Sequence, residues 1–156
     1  MADSAPSSLT EGERSFLVAL NDLGVHFLLV GMSAALIQGA RGATEVLDLW
    51  FEDLSDSRIG EAAARAGGYW VTRSEPPMLA GMGGRFDVVT TMSGLPSFAD
   101  EYARSVQAEV DGVSLRLLPL DRIVVSKRAA NRAKDQPAIH AIESAISVID
   151  ALKRKR

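Results

Sequence analysis

The spacing of apolar residues along the chain predicts helices alternating with short buried strands. Between residues 10 and 23, apolar side chains recur at the spacing of one helical face. Thr10 and Glu13 have the spacing of a capping box, which marks the start of that helix. Residues 26–30 and 46–51 are short apolar runs next to turn residues, which is typical of strands buried on both faces. The first third of the chain therefore predicts a helix and two core strands.

The middle of the chain continues this alternation and contains one segment that predicts a loop. Residues 75–84 hold two prolines and three glycines, which favours a loop that crosses the surface. Ser97 and Asp100 predict the cap of a further helix that ends near residue 104. The other predicted elements of this region are short helices at 34–38 and 57–66 and strands at 69–72 and 86–91.

The last third of the chain predicts a hairpin followed by two helices. Asp111-Gly112 is a strong two-residue turn signal between apolar runs at 106–110 and 113–118. The helices are predicted at 119–130 and 138–152. Together these elements predict an α/β (α+β) single domain at 9–152, with a mixed sheet of about five strands flanked by helices. Residues 1–8 are predicted to be a flexible N-terminal segment, and residues 153–156 form a basic tail.

Composition narrows the classes of function. Hydrophobic residues make up 47% of the 156 residues, as expected for a packed domain. The 17 Lys and Arg against 20 Asp and Glu give a net charge of -3, which makes nucleic acid unlikely as the main ligand. The lack of cysteine excludes disulfides, thiolate nucleophiles and cysteine-ligated zinc. No secretory signal or long apolar run is evident, so we expect a cytoplasmic protein without a membrane association.

Two aspartates in predicted strands are candidate site residues. Asp48 lies among Leu47, Leu49 and Trp50, and an ionised carboxylate in such an apolar run needs a metal, a cation or a cleft. The alternative is a strand-end carboxylate that faces water. Asp87 alone is equally compatible with the polar position of a half-buried strand, and only its pairing with Asp48 makes it a site candidate.

The order helix, strand, glycine-serine turn, short helix and carboxylate-bearing strand resembles the nucleotidyltransferase superfamily of DNA polymerase beta. The resemblance depends mainly on residues 29–34, LVGMSA, and residues 42–50, GATEVLDLW. The chain is most similar to the minimal nucleotidyltransferases of bacteria, and the resemblance extends through residues 85–89, 126–128 and 134–135. It covers roughly residues 20 to 150 and implies the nucleotidyltransferase fold.

The resemblance also implies a role for each candidate residue. Gly31 and Ser33 would hold the triphosphate of a nucleotide at the turn, and Lys127 would offset its charge. Asp48 and Asp87 would be the catalytic carboxylates that bind Mg²⁺ or Mn²⁺. Simpler alternatives remain open at this point. Gly31 could be a turn glycine with Ser33 as a helix cap, and Lys127 could lie on a solvated helix surface.

Position 46 departs from the pattern of this superfamily. The family places two aspartates at alternate positions of one strand, so that both side chains leave the same face. Asp48 matches the second of them, but Val46 stands where the first is expected. Glu45 would point to the opposite face, and Glu52 lies far along the strand. One of three expected metal ligands is therefore missing.

Three functions are compatible with these observations. The first is Mg²⁺-dependent transfer of a nucleoside monophosphate from a nucleoside triphosphate to a hydroxyl or similar acceptor, with activity reduced by Val46. The second is a catalytically degenerate nucleotide-binding or protein-interaction module, for example a component of a toxin-antitoxin-like pair with a protein partner. The third is an unrelated α/β binding domain. Val46 is the feature that favours the second function.

Overall fold

The computed structural model describes residues 9–83 and 85–155. The predicted N-terminal segment at 1–8 lies outside the described residues. The helices in the described residues are α1 (Glu11–Asp22), α2 (Gly31–Ile37), α3 (Ser57–Arg65), α4 (Phe98–Arg104), α5 (Leu120–Ala130) and α6 (Gln136–Arg154). The strands are β1 (Phe27–Val30), β2 (Leu47–Phe51), β3 (Tyr69–Val71), β4 (Met78–Ala80), β5 (Phe86–Val89), β6 (Val106–Val110) and β7 (Val113–Leu117).

A mixed five-stranded sheet forms the centre of the fold, in the order β5-β2-β1-β7-β6. β1 runs antiparallel to β2 and parallel to β7, while β2 runs parallel to β5. All four residues of β1 are buried, because this strand lies in the middle of the sheet. The predicted α/β class with a mixed sheet of about five strands is thereby confirmed.

Two structures predicted from local sequence signals, a capping box and a tight turn, are present in the fold. Thr10 and Glu13 make both hydrogen bonds of the capping box at the start of α1. Asp111 and Gly112 have φ angles of 51° and 78°, which allow the tight turn between β6 and β7. These interactions connect residues that are close in the sequence, so neighbouring side chains are enough to specify them.

The prediction of a loop over residues 75–84 was wrong. Met78–Ala80 forms β4, which pairs antiparallel with β3 in a separate two-stranded ribbon. Leu79 and Met82 are buried in the core, so this segment is more than a surface crossing. The prolines and glycines mark the turns on either side of β4. Its three strand residues are specified by pairing with β3, which the local pattern does not reveal.

Several predicted bounds need correction, although each element exists. The first short helix begins at Gly31 rather than at residue 34, because the chain turns directly out of β1. The last helix continues to Arg154, so Lys153 and Arg154 belong to α6 rather than to a separate basic tail. None of the helices in residues 9–83 and 85–155 has the length and apolar content that a membrane span requires.

Alternation along β2 divides its side chains between two faces of the sheet. Phe86, the register partner of Leu47, contacts Phe16 of α1 with ring centroids 5.1 Å apart. Trp50 contacts Phe98 of α4 with centroids 5.3 Å apart. Asp48 has the same parity as Trp50, so its side chain lies on the face opposite α1. The candidate site is therefore on the face that α4 covers.

Candidate functional site

Gly31 forms the corner between β1 and α2. Its φ angle of +64° is in the left-handed region, which glycine adopts without steric cost. A Cβ atom added at Gly31 would lie 2.6 Å from the Oδ2 atom of Asp48, closer than atoms normally approach. The glycine therefore serves two purposes, since it permits the turn and leaves room for the Asp48 carboxylate against the backbone.

Ser33 connects the same corner to β2. Its fully buried hydroxyl donates a hydrogen bond to the carbonyl oxygen of Val30 at 3.0 Å. The Oγ atom of Ser33 also accepts a hydrogen bond from the backbone N–H of Asp48 at 3.2 Å. In this arrangement Ser33 positions the strand that carries Asp48 and presents no surface to a phosphate. The alternative prediction that Ser33 caps the helix was wrong, because α2 begins at Gly31 with Val30 as its N-cap residue and no side chain caps it.

Asp48 and Asp87 are register partners on the adjacent parallel strands β2 and β5. Neighbouring strands lie about 4.8 Å apart, and register partners of parallel strands point to the same face. Both residues line a cavity of about 730 Å³, together with Gly31 and Lys127. The structure thus brings four of the five predicted site residues to one cavity, and their roles in metal binding, phosphate binding and catalysis stay predictions.

The environment of Asp48 disfavours its charged form. The pKa of Asp48 is raised to about 6, mainly by burial and also by the negative charge of Asp87, while the positive charge of Lys127 opposes both effects. Two carboxylates and an ammonium group therefore interact electrostatically across the cavity. A cation between the two carboxylates would relieve both the burial cost and the repulsion.

The cavity wall combines apolar and polar groups from three segments. Pro76, Pro77 and Met78 come from the connection between β3 and β4 and from the first residue of β4, and residues 91–93 come from the segment after β5. Ile123 of α5 adds a further apolar surface. Such a cavity, in which polar and apolar surface contribute about equally, has the size of many small-molecule sites.

Lys127, on the cavity wall, is paired with the buried carboxylate of Asp135. Asp135 contacts the Nζ atom of Lys127 at 3.5 Å and accepts a hydrogen bond from the Nε atom of Arg132 at 2.8 Å. Burial alone would raise the pKa of Asp135, but the hydrogen bond from Arg132 and the positive charge of Lys127 outweigh it and hold the pKa below its usual range. Arg132 also lines the cavity. Sequence reasoning assigned no role to Arg132 or Asp135.

Asp48 and Asp87, the two predicted metal ligands, are not joined by a third acidic side chain in the described residues. Val46 lies just before β2, and Glu45 is engaged by Arg85 in an exposed ion pair at 2.9 Å. Glu52 lies 3.5 Å from His26. In the part of the chain that the structure describes, no group of three or more His, Asp or Glu side chains could hold a metal ion. Two carboxylates are nevertheless enough for one Mg²⁺ whose remaining ligands are phosphate oxygens and water.

No protein-family model and no curated protein sequence matches the chain. Solved structures do match it over most of its length. The crystal structure of ANT(2'')-Ia in complex with adenylyl-2''-tobramycin aligns with a TM-score of 0.58 and 14% identity, over 90% of this chain and 88% of that one. This chain has the nucleotidyltransferase fold. The solution structure of the antibiotic-resistance factor ANT(2'')-Ia aligns equally well, with a TM-score of 0.58, 15% identity and coverage of 92% and 89%.

A third solved structure, that of a nucleotidyltransferase-like protein, is also similar to this chain. The antigenic nucleotidyltransferase-like protein from Paracoccidioides brasiliensis aligns with a TM-score of 0.56 and 15% identity, over 94% of this chain and 79% of that one. At such low identity the likeness establishes the fold and no particular activity. The predicted nucleotidyltransferase fold is confirmed, while a closer relationship to the minimal nucleotidyltransferases is a matter for proposal.

The corner at Gly31 leads to a stability prediction. We expect Gly31→Ala to lower the free energy of unfolding by about 2 kcal/mol, since a positive φ is strained for alanine and the new Cβ displaces the Asp48 carboxylate. Gly67→Ala is the matched control, because Gly67 has a φ of +80° and no atom within 4 Å of the added Cβ. It should cost about 1 kcal/mol. Urea unfolding measures both, and equal losses would mean that Asp48 does not lie against the turn.

Proposed function

We propose that the protein transfers a nucleoside monophosphate from a nucleoside triphosphate to a hydroxyl or similar acceptor, using a divalent cation. One observation carries the proposal: Asp48 and Asp87 are register partners that share a cavity with Gly31 and Lys127 in a chain of the nucleotidyltransferase fold. A relationship to the minimal nucleotidyltransferases is part of this proposal. We expect the metal to be Mg²⁺ or Mn²⁺.

The chain's own residues supply most of the conditions for such a transfer. Gly31 has no side chain, so the corner has room for the Asp48 carboxylate, and we expect phosphate oxygens to approach the backbone beside it. The ammonium group of Lys127 offsets phosphate charge. Asp48 and Asp87 would hold the cation, which when bound neutralises the charge that develops on the phosphates. With its pKa at about 6, Asp48 is ionised above that pH and able to bind a cation.

In the proposed reaction, the acceptor oxygen forms a bond to the α-phosphorus of the triphosphate. The bond from that phosphorus to the bridging oxygen breaks, and pyrophosphate leaves with the electron pair. The proton of the acceptor hydroxyl passes to water. Pro76, Pro77 and Met78 add an apolar wall to the cavity in which this reaction would occur.

A second candidate function is supported by Val46. A degenerate member would keep the fold and a nucleotide pocket but act by binding a partner protein, as a component of a toxin-antitoxin-like pair would. Valine suits the start of a strand and removes a hard oxygen ligand, so the fold persists where the metal site is weakened. The described residues offer two carboxylates rather than three at this site, which agrees with that account.

Transfer of label from a nucleotide tests the two functions. Purified protein is incubated with each labelled nucleoside triphosphate, Mg²⁺ or Mn²⁺, and cell extract. ATP is tested first because one structural neighbour holds an adenylyl product. We expect transfer by the wild type, and a loss of about 100-fold or more in Asp48→Asn and Asp87→Asn. Asp22→Asn, which changes an exposed aspartate at the end of α1, is the control and should keep full activity.

The Val46→Asp variant separates the enzyme from the degenerate member. If the wild type is inert and Val46→Asp gains metal-dependent nucleotide affinity, measured by calorimetry, the protein is a degenerate member. If the wild type transfers label and Val46→Asp increases the rate, the protein is an enzyme with reduced activity. If neither protein binds a nucleotide, both candidate functions are wrong.

A further inference from the structure

We propose that Arg132 and Lys127 together form the triphosphate-binding half of the cavity, and that Asp135 is the positioning residue that holds both of them. This inference rests on the proposed function and deepens it, because it assigns the phosphate groups to named cations. It adds Arg132 and Asp135 to a phosphate site for which the resemblance implied Gly31, Ser33 and Lys127.

One carboxylate contacts both cations at the same time. The Oδ1 atom of Asp135 lies 3.5 Å from the Nζ atom of Lys127, while its Oδ2 atom accepts a 2.8 Å hydrogen bond from Nε of Arg132. The Asp135 side chain is only 9% exposed and that of Lys127 only 16%. A largely buried ammonium group loses hydration, and a fixed carboxylate partner compensates for that loss. Asp135 supplies that partner.

The backbone after α5 places these three residues together. Asn131 ends α5 in the left-handed conformation with a φ of 53°, and Arg132 is extended. Residues Ala133–Asp135 then form a short 3₁₀ turn that leads into α6. This reversal brings Asp135 back to Lys127, which lies one turn before the end of α5. The arrangement is specified by the connection between two helices and not by surface charges that happen to meet.

The charges in the cavity match a metal-bound triphosphate. Asp48 and Asp87 provide negative charge on the sheet side, while Lys127 and Arg132 provide positive charge on the helix side. Lys127 is close enough to lower the pKa of Asp48, so the two halves face each other electrostatically. A metal cation suits the two carboxylates on the sheet side, and phosphate oxygens suit the two cations on the helix side. The contact with Asp135 uses Nε of Arg132, and the terminal amino groups of arginine are suited to paired phosphate oxygens.

Arg128 is a neighbouring cation with a different placement. It follows Lys127 in the sequence, but its side chain is 56% exposed and pairs with Glu143 on α6. Lys127 and Arg132 line the cavity, whereas Arg128 is directed toward the outer surface of α6. Arg128→Gln therefore removes a positive charge from the same helix without changing the proposed site. It is the matched control for the general effect of net charge.

The test uses inorganic tripolyphosphate in the presence of EDTA, with binding measured by isothermal titration calorimetry. We expect Lys127→Met and Arg132→Met each to weaken binding about 10-fold, as the loss of one charge-assisted contact does, and Arg128→Gln to change it less than about twofold. Asp135→Asn should weaken binding severalfold, and adding Lys127→Met to it should weaken binding by less than the product of the two single effects.

Several outcomes would overturn the inference. An Arg132→Met protein that binds as tightly as Arg128→Gln would exclude Arg132 from the site. Tighter binding by Asp135→Asn would show that Asp135 competes with the anion instead of positioning its partners. Absence of tripolyphosphate binding by both the wild type and Asp48→Asn would exclude an anion site altogether. If Asp135→Asn does not fold, the Arg132→Met variant still tests the inference. The Arg132 side chain is 55% exposed, so we expect its replacement to leave the fold intact.

The inference and the proposed function fail separately. Tripolyphosphate binding that depends on Lys127 and Arg132, without label transfer from any nucleotide, would support the anion site and reject the enzyme. Label transfer that is lost in Asp48→Asn, with unchanged tripolyphosphate binding in Arg132→Met, would support the enzyme and reject this anion site.

Discussion

Replacing Arg122 by leucine is expected to lower the free energy of unfolding by about 3–5 kcal/mol, because it leaves the Glu101 carboxylate buried without its counter-ion. Glu101 is fully buried, and Arg122 donates two hydrogen bonds to it, from Nε at 2.9 Å and from Nη2 at 2.8 Å. This ion pair connects α4, which carries Glu101, to α5, which carries Arg122. Equilibrium unfolding in urea, followed by circular dichroism, measures the loss.

Exposure decides the size of this effect, and a surface pair provides the control. Arg65 and Glu61 form an ion pair at 2.8 Å on α3, with side chains that are 50% and 52% exposed. Arg65→Leu should cost less than about 1 kcal/mol, since water replaces the lost partner. Similar losses in Arg65→Leu and Arg122→Leu would contradict the burial argument. The double variant Glu101→Leu/Arg122→Leu should regain much of the stability, because it leaves no unpaired charge.

The same ion pair has a consequence for the candidate site. The segment from Thr91 to Ser93 lies between β5 and α4 and forms part of the cavity wall. Since Glu101 anchors α4 to α5, and α5 also carries Lys127, the ion pair fixes two parts of that wall relative to each other. Stability and site geometry therefore depend on one contact that lies outside the cavity.

The parts of the fold that were predicted correctly depend on neighbours in the sequence. The capping box at Thr10 and the turn at Asp111-Gly112 need only residues within three positions of one another. The strand at Met78–Ala80 could not be predicted in this way, because its partner β3 comes from another segment and its flanking prolines and glycines indicate a loop. Pairing between short strands is a tertiary property, and local propensity is a weak guide to it.

The candidate site was likewise predicted only in part from the sequence. Asp48 was predictable because a carboxylate within an apolar run needs an explanation, and the superfamily resemblance supplied Asp87 and Lys127. Arg132 and Asp135 were not predicted, since charged residues next to helix ends are usually solvated. Their burial follows from the chain reversal between α5 and α6. The Lys134-Asp135 pair in the resemblance was the only signal in the sequence that pointed toward Asp135.

Replacing Asp48 by asparagine is expected to stabilise the metal-free protein at pH 8 by roughly 2–3 kcal/mol. The pKa of Asp48 is raised from 3.8 to about 6, first by burial and then by the charge of Asp87. Its protonated form therefore contributes stability that is fully present below pH 3.8 and is lost as the pH rises through about 6. Asparagine stays neutral throughout, so the two proteins should differ little at pH 3.5 and most at pH 8. Urea unfolding in EDTA at both pH values measures this difference.

Divalent cations should make the wild type at least as stable as Asp48→Asn at pH 8. At pH 8, Mg²⁺ at about 100 times its dissociation constant would stabilise the wild type by about 2.7 kcal/mol and leave Asp48→Asn unchanged, because only the wild type keeps both carboxylates. Asp22→Asn should follow the wild type under both conditions, since Asp22 is exposed and distant from the cavity. If Asp48→Asn were less stable than the wild type in EDTA at pH 8, the carboxylate would have a structural role. A buried carboxylate that destabilises the metal-free fold is instead one retained for a ligand.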